Sequence, residues 1–133
     1  MRRSPLLLAL PLAAVLAGCT GTNQNASAGD FKGAERDVAQ VIDDLKASRE
    51  PDEICSRYFT DALAKSLEAD GHDCVDEVQA TIRDTANTDM DVRDVTVEGT
   101  KARAEVRQDG KTAMFELERG EDGWQISSLG QPS

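Results

Sequence analysis

Hydrophobic residues follow two different periods along this chain, and the change of period divides it into two halves. From Asp30 to about Arg83 they recur every three or four positions, as on one face of an α-helix. After Asp89 they alternate with polar residues, as in strands that bury one face. The pattern predicts an α+β fold in which N-terminal helices pack on a curved, four-stranded antiparallel meander.

The first two predicted helices are separated by a proline. The first begins at Asp30, a candidate cap, and ends near Arg49, because Glu50 precedes Pro51 and is disfavoured in the α conformation. Pro51 suits the first position of a short second helix. The residues that share the buried side of this second helix are Ile54, Cys55, Tyr58 and Phe59.

Two further helices are predicted from their end signals. Thr60 is the expected cap of the third, which Asp70-Gly71 ends. Asp73 is the expected cap of the fourth, which begins with acidic residues and finishes with Arg83, as the helix dipole favours. The apolar stripe of the fourth helix consists of Val75, Val78 and Ile82.

Four strands are predicted in the second half. The first contains an irregularity at Arg93-Asp94, which we interpret as a β-bulge. Asp109-Gly110 is a strong hairpin turn between the second and third strands, and turns are also expected over 98–101 and 120–123. The inward positions are Met90, Val92, Val95, Val97, Ala102, Ala104, Val106, Ala113, Phe115, Leu117, Trp124 and Ile126.

The N-terminus predicts export. Met1-Arg2-Arg3 is basic, and the apolar run that follows contains two prolines and is shorter than the roughly 20 residues of a transmembrane helix. Leu16-Ala17-Gly18-Cys19 resembles the bacterial lipobox. That resemblance implies a signal peptide over 1–18, a lipid on Cys19, and attachment to the extracytoplasmic face of the cell membrane. The polar stretch 19–29 is expected to be a flexible tether; twin-arginine export is the alternative route.

Charge and cysteine content restrict the partners and chemistry. The formal charge is −10, and it becomes −12 without the two signal-peptide arginines, which argues against nucleic-acid binding.

If Cys19 carries lipid, Cys55 and Cys74 remain as a pair that is expected to form a disulfide in an oxidising compartment. A redox or zinc site is the alternative, but there is no Cys-x-x-Cys and His72 is the only histidine.

Three stretches carry a family resemblance: the segment 55–64, Gly71-His-Asp-Cys74, and Asp122-Gly-Trp-Gln-Ile126. Together with the lipobox and the order of elements, they resemble small bacterial lipoproteins of the nuclear transport factor two-like, cystatin-like superfamily. The resemblance implies a cone-shaped domain over 30–133, in which helices close over the sheet and can leave a pocket. Enzymes of that superfamily place acid and base residues in the pocket, and no equivalent pair aligns here.

Few residues suggest chemistry of their own. His72 lies beside acidic residues without a visible nucleophile, which is typical of an exposed loop. Asn87, Asp89, Asp91 and Glu98 mimic the spacing of a calcium loop, but Val92 occupies the position that needs glycine. Four aromatic residues either form the core or line a pocket: Tyr58, Phe59, Phe115 and Trp124.

The sequence therefore favours a binding role over catalysis. The expected function is a lipid-anchored, non-catalytic binding or interaction module of the cell envelope, with no cofactor and with an envelope protein as partner. The alternative is a small-ligand carrier that uses the pocket of the cone, which an apolar cavity of a few hundred cubic ångströms would favour. A pocket enzyme is a third reading, and it requires two titratable groups that converge inside the cavity.

Overall fold

Helical segments precede a four-stranded antiparallel sheet, in the order that the sequence predicts. The computed structural model describes residues 27–68, 71–84 and 89–130. A 3-10 turn, Ser27–Asp30, is followed by α1 (Gly33–Ala47), α2 (Pro51–Glu53), a π-helical turn (Ile54–Tyr58), α3 (Asp61–Ser66) and α4 (Cys74–Asp84). The strands are β1 (Met90–Glu98), β2 (Lys101–Gln108), β3 (Lys111–Gly120) and β4 (Gly123–Ser128).

The start of the folded region differs from the prediction. Asp30 does not cap α1, because Lys32 occupies the cap position without a side-chain hydrogen bond. Residues from Ser27 belong to the fold rather than to a tether ending at 29: Ala28 is buried, and its N–H donates to the Asp43 carboxylate at 2.9 Å. Cys19 and the predicted signal peptide lie outside the described residues.

The helix ends follow local rules in most places. α1 ends at Ala47, two residues before the predicted Arg49, and Glu50 is extended as a residue before proline should be. Two predicted caps are confirmed. The Thr60 hydroxyl accepts from the Leu63 N–H at 3.2 Å, and the Asp73 carboxylate accepts from the Asp76 N–H at 2.9 Å.

The end of α3 is less well predicted. This helix finishes at Ser66, earlier than the expected Asp70-Gly71. Asp70 lies outside the described residues, and Gly71 has a φ of 81°. The chain therefore leaves the helix about one turn before the residues that looked like its stop signal.

The π-helical turn connects the helices to the sheet. Its wider spacing closes with a bond from the Phe59 N–H to the Ile54 carbonyl at 3.1 Å. Phe59 then forms a parallel bridge with Ile126, and the Thr60 N–H donates to the Ile126 carbonyl at 2.9 Å. The Gln125 side-chain amide also donates to the Phe59 carbonyl at 3.2 Å. These bonds cover part of the free edge of β4.

The disulfide between Cys55 and Cys74 is present, as predicted. Its Cα atoms are 6.1 Å apart and its cysteines are separated by 19 positions in the sequence. Cys55 lies in the π-helical turn, and Cys74 is the first residue of α4. The bond therefore joins the start of α4 to the segment that borders β4.

The sheet is a meander with the order β1-β2-β3-β4. The register shifts between Val92 and Asp94, which confirms the predicted irregularity. Asp109 and Gly110 have φ values of 50° and 77°, as a type I′ hairpin turn requires. A second shift, between Glu116 and Leu117 where β3 meets β4, was not predicted.

One hydrophobic core lies between the helices and the inward face of the sheet, so the α+β class is confirmed. Helix α1 supplies Val38, Ala39 and Ile42, which are all at most 1 % exposed. The sheet supplies the alternating residues that the sequence predicts, and Val106, Leu117 and Ile126 are the largest fully buried ones. Within the described ranges, no helix is both long enough and apolar enough to cross a bilayer.

Removing the disulfide should destabilise the fold. We expect the double variant Cys55→Ala/Cys74→Ala to lose about 3 kcal/mol, since the unfolded chain gains the freedom of a closed loop of roughly 20 residues. Urea unfolding followed by circular dichroism measures the difference. A loss below about 1 kcal/mol would contradict the expectation, as would two thiols that titrate in the native protein without reductant.

Candidate functional site

A cavity of about 480 Å³ lies between α4 and one end of the sheet. Its walls come from the last turn of α1, the π-helical turn, α4, the outer ends of β1–β3 and the residues after β4. Most of the lining is apolar. The apolar residues are Leu45, Ile54, Phe59, Leu67, Val78, Ile82, Met90, Ala113, Phe115 and Leu129.

The cavity exists because α4 stands apart from the strands. Helix α4 packs mainly against α2 and the π-helical turn, whereas α1 packs against β1, β2 and β4. The apolar stripe of α4, with Val78 and Ile82, forms one wall, and Ala113 and Phe115 of β3 lie in another. Ala113 is too small to fill the space in front of it. The sheet and α4 therefore face each other across a gap instead of interdigitating.

The segment after β4 completes one wall and depends on a glycine. Gly130 has a φ of 63°, and a Cβ on it would clash with the Met114 carbonyl oxygen. Only a residue without a side chain permits this approach to β3. The close contact holds Leu129 beside the core, where it lines the cavity.

Polar side chains occur among the lining residues, and the two basic ones are engaged within the protein. The Lys46 ammonium donates to the Met90 carbonyl at 3.0 Å, which ties the end of α1 to the start of β1. Arg49 also has an interaction partner. The acidic lining residues Glu77 and Asp89 are both exposed. The remaining polar lining residues are Ser48, Thr81 and Gln108.

The chain enters the described structure close to this cavity. The hydrogen bond from Ala28 reaches Asp43, which precedes the lining residue Lys46 by three positions, about one helical turn. The 3-10 turn also contacts β1, whose first residue, Met90, lines the cavity. The 3-10 turn therefore contacts two of the elements, α1 and β1, that contribute residues to the cavity walls.

The structure divides the four aromatic candidates into two pairs. Phe59 and Phe115 line the cavity. Tyr58 and Trp124 are equally buried but do not line it. Each of these two rings instead has a guanidinium over it: Arg57 lies 5.5 Å from the Tyr58 ring centre, and Arg119 lies 5.7 Å from that of Trp124.

Sequence reasoning missed the aliphatic part of the lining. Val78, Ile82 and Met90 were assigned to apolar faces correctly, but nothing local shows that α4 and β1 meet across a cavity. The small Ala113, which pairs with Val106 and precedes the larger inward Phe115, was the available clue. An inward alanine opposite an apolar helix leaves space that a larger residue would fill.

The other candidate residues lie elsewhere. His72 is exposed in the segment before α4. Of the calcium-like set, Asp89, Asp91 and Glu98 are exposed, and Asn87 lies outside the described residues. In the part of the chain that the structure describes, no three histidine, cysteine or carboxylate side chains are grouped as metal ligands.

A second depression, of about 540 Å³, lies on the opposite face of the sheet. It is lined mainly by charged and polar side chains, and Met114, 43 % exposed, is the large apolar residue that it exposes to solvent. Charges there pair across the strands, as Lys101 does with Glu118 and Arg103 with Glu116. Because these pairs are solvated, we take the apolar cavity as the candidate site.

Comparison with protein-family models, with curated proteins and with solved structures finds no match to this chain.

Tyr58 gives a test of the packing beside the cavity. Burial raises the pKa of Tyr58 above its ordinary value of 10.0, and the nearby Glu53 carboxylate adds to the rise, while Arg57 opposes it. Tyr58 is the only tyrosine, so phenolate absorbance reports it alone. We expect the native protein to titrate at higher pH than the urea-unfolded protein; a native midpoint at or below the unfolded one would contradict this.

The raised pKa also has a consequence for stability. As pH rises above 10.0, the unfolded chain releases the Tyr58 proton before the folded protein does, so folding becomes less favourable up to the folded pKa. Tyr58→Phe removes this loss. The difference in unfolding free energy between the two proteins should be constant below pH 9, by this account, and should shift in favour of the Phe variant at about pH 11.

Proposed function

We propose that this protein is a non-catalytic binding domain that holds a small apolar ligand in the cavity beneath α4. We further propose that a lipid on Cys19 anchors it at the extracytoplasmic face of the cell membrane. The observation that carries the binding role is the cavity itself: about 480 Å³ of space with apolar walls from both the helices and the sheet. That volume lies in the range of sites for small molecules.

The energetics of the cavity support occupation by an apolar molecule. Protein interiors normally pack without voids larger than a water molecule, and apolar walls exposed to water are unfavourable. The partly buried lining residues Ile82, Met90 and Leu129 would each lose contact with water when a ligand enters. The free energy of that transfer favours an apolar body over a polar one.

The placement of titratable groups supports binding rather than catalysis. The charged lining residues within the described ranges are Lys46, which is half-buried, and Arg49, Glu77 and Asp89, which are exposed. Acid–base catalysis in a pocket uses titratable groups that converge on the reacting atoms. Groups in water at the edge of a cavity are better suited to orienting a ligand.

The anchoring proposal fits the position of the chain entry. Cys19 precedes Ser27 by eight residues, which span at most about 27 Å when fully extended. A lipid on Cys19 would therefore keep the domain close to the membrane. Two acyl chains suffice for stable attachment.

We also propose that the domain has the cystatin-like cone fold. A four-stranded meander covered on one face by helices, with a cavity between the layers, is the arrangement that the cystatin-like resemblance implies. The acidic surface and the expected anchor equally suit a module that binds an envelope protein, so the test must report occupation of the cavity itself.

Filling the cavity should abolish binding. The neutral dye N-phenyl-1-naphthylamine, which fluoresces in apolar surroundings, should saturate at one molecule per chain. We expect Ala113→Leu to weaken dye binding by at least about tenfold, because the larger side chain occupies the space in front of β3. Fluorescence titration measures the affinity, and urea unfolding verifies that the variant remains folded.

Met114→Leu is the matched control, since it places the same residue at the next position of β3, on the opposite face of the sheet. It should bind the dye as the unmodified protein does. Equal binding by Ala113→Leu and the unmodified protein would refute the cavity as the site. Failure of the unmodified protein to bind any dye would refute the proposed function.

A further inference from the structure

We infer that the cavity selects a cationic amphiphile: an apolar amine or quaternary ammonium compound whose apolar body enters the cavity and whose charge stays near Glu77 and Asp89. The inference rests on the proposed function and specifies the ligand class of the same site. It follows from which charged side chains around the cavity already contact the protein and which do not.

The basic groups of the lining are occupied by the protein itself. The Lys46 ammonium donates to the Met90 carbonyl at 3.0 Å, and this bond also joins α1 to β1. Arg49 has a partner as well. An anionic ligand that recruited either group would have to share it with the contact that it already makes, because Lys46 and Arg49 each carry several N–H donors.

The acidic groups of the lining differ from the basic ones in their contacts with the protein. Glu77 lies on α4, and Asp89 lies immediately before β1, so they approach the cavity from different walls. Among the residues that the structure describes, neither carboxylate has a hydrogen-bond or ion-pair partner. A cationic head group would gain attraction from both carboxylates without breaking a contact, whereas an anionic head would be repelled by both.

The charge of the whole chain acts in the same direction. It contains 25 acidic and 15 basic residues, which gives a formal charge of −10. A negative potential of this kind raises the local concentration of cations and lowers that of anions, and salt screens the effect. The local and the long-range contributions can be separated, because only the local one depends on residues 77 and 89.

Three probes with the same tail and different heads test the inference. Decyltrimethylammonium, decanol and decyl sulfate are each used below their critical micelle or solubility limit to displace N-phenyl-1-naphthylamine from the full chain, with circular dichroism verifying the fold. We expect the cation to displace the dye at about tenfold lower concentration than the anion, with decanol between them.

Two double variants assign the preference to its source. Glu77→Gln/Asp89→Asn should reduce the ratio of anion to cation displacement concentrations to about threefold or less. The control, Glu121→Gln/Asp122→Asn, removes the same charge from the turn between β3 and β4, away from the cavity, and should retain most of the preference. If the preference depended only on the net charge of the protein, this control variant would lose as much of it as Glu77→Gln/Asp89→Asn does.

Each outcome decides between the proposals. Equal or stronger displacement by decyl sulfate overturns the inference, and so does an unchanged ratio in Glu77→Gln/Asp89→Asn or an equal reduction in the control variant. In all these cases the dye still binds, so the proposed binding function would stand. If the dye does not bind to the unmodified protein at all, the proposed function fails first.

Discussion

The disulfide bond between Cys55 and Cys74 is the constraint on which the helical half of this protein depends. It fixes the first residue of α4 to the π-helical turn. The π-helical turn is itself attached to the edge of β4 through Phe59 and Thr60. A helix of 11 residues that packs mainly on other short helical segments has little support of its own, because isolated helices of this length are marginal in water.

This arrangement explains why the domain contains a cavity instead of a second layer of core. Because α4 is held at its start and packs sideways on α2, its apolar stripe does not have to reach the strands. The inward residue across the gap is Ala113, and the larger Phe59 and Phe115 line the space rather than fill it. A molecule bound in the cavity would supply the packing contacts that the protein's own side chains do not make there, and it would thereby stabilise the folded state.

The features that the sequence predicted are those determined by neighbours along the chain. Thr60 and Asp73 cap helices because a side-chain oxygen two or three residues before an N–H satisfies it locally. Asp109-Gly110 forms the hairpin because both residues accept positive φ. The alternation of apolar and polar residues in β2 and β3 identified the buried face of the sheet, because successive side chains of a strand point to opposite faces.

The features that escaped prediction depend on contacts between distant segments. The π-helical turn, the bridge from Phe59 to Ile126 and the second register shift all arise where the helical half meets the edge of the sheet. The cavity belongs to the same class, since its walls come from segments that are distant from one another along the chain. Of the four aromatic residues, which the sequence placed either in the core or around a pocket, Phe59 and Phe115 line the cavity and Tyr58 and Trp124 do not.

The central claim, that an apolar molecule occupies the space between α4 and the sheet, is tested most directly by methionine methyl NMR. Met90 lines the cavity, whereas Met114 is exposed on the opposite face of the sheet. Titration of protein labelled at its methionine methyl groups with N-phenyl-1-naphthylamine should shift the Met90 signal to saturation and leave Met114 unchanged. A saturating shift at Met114 with none at Met90 would contradict the account.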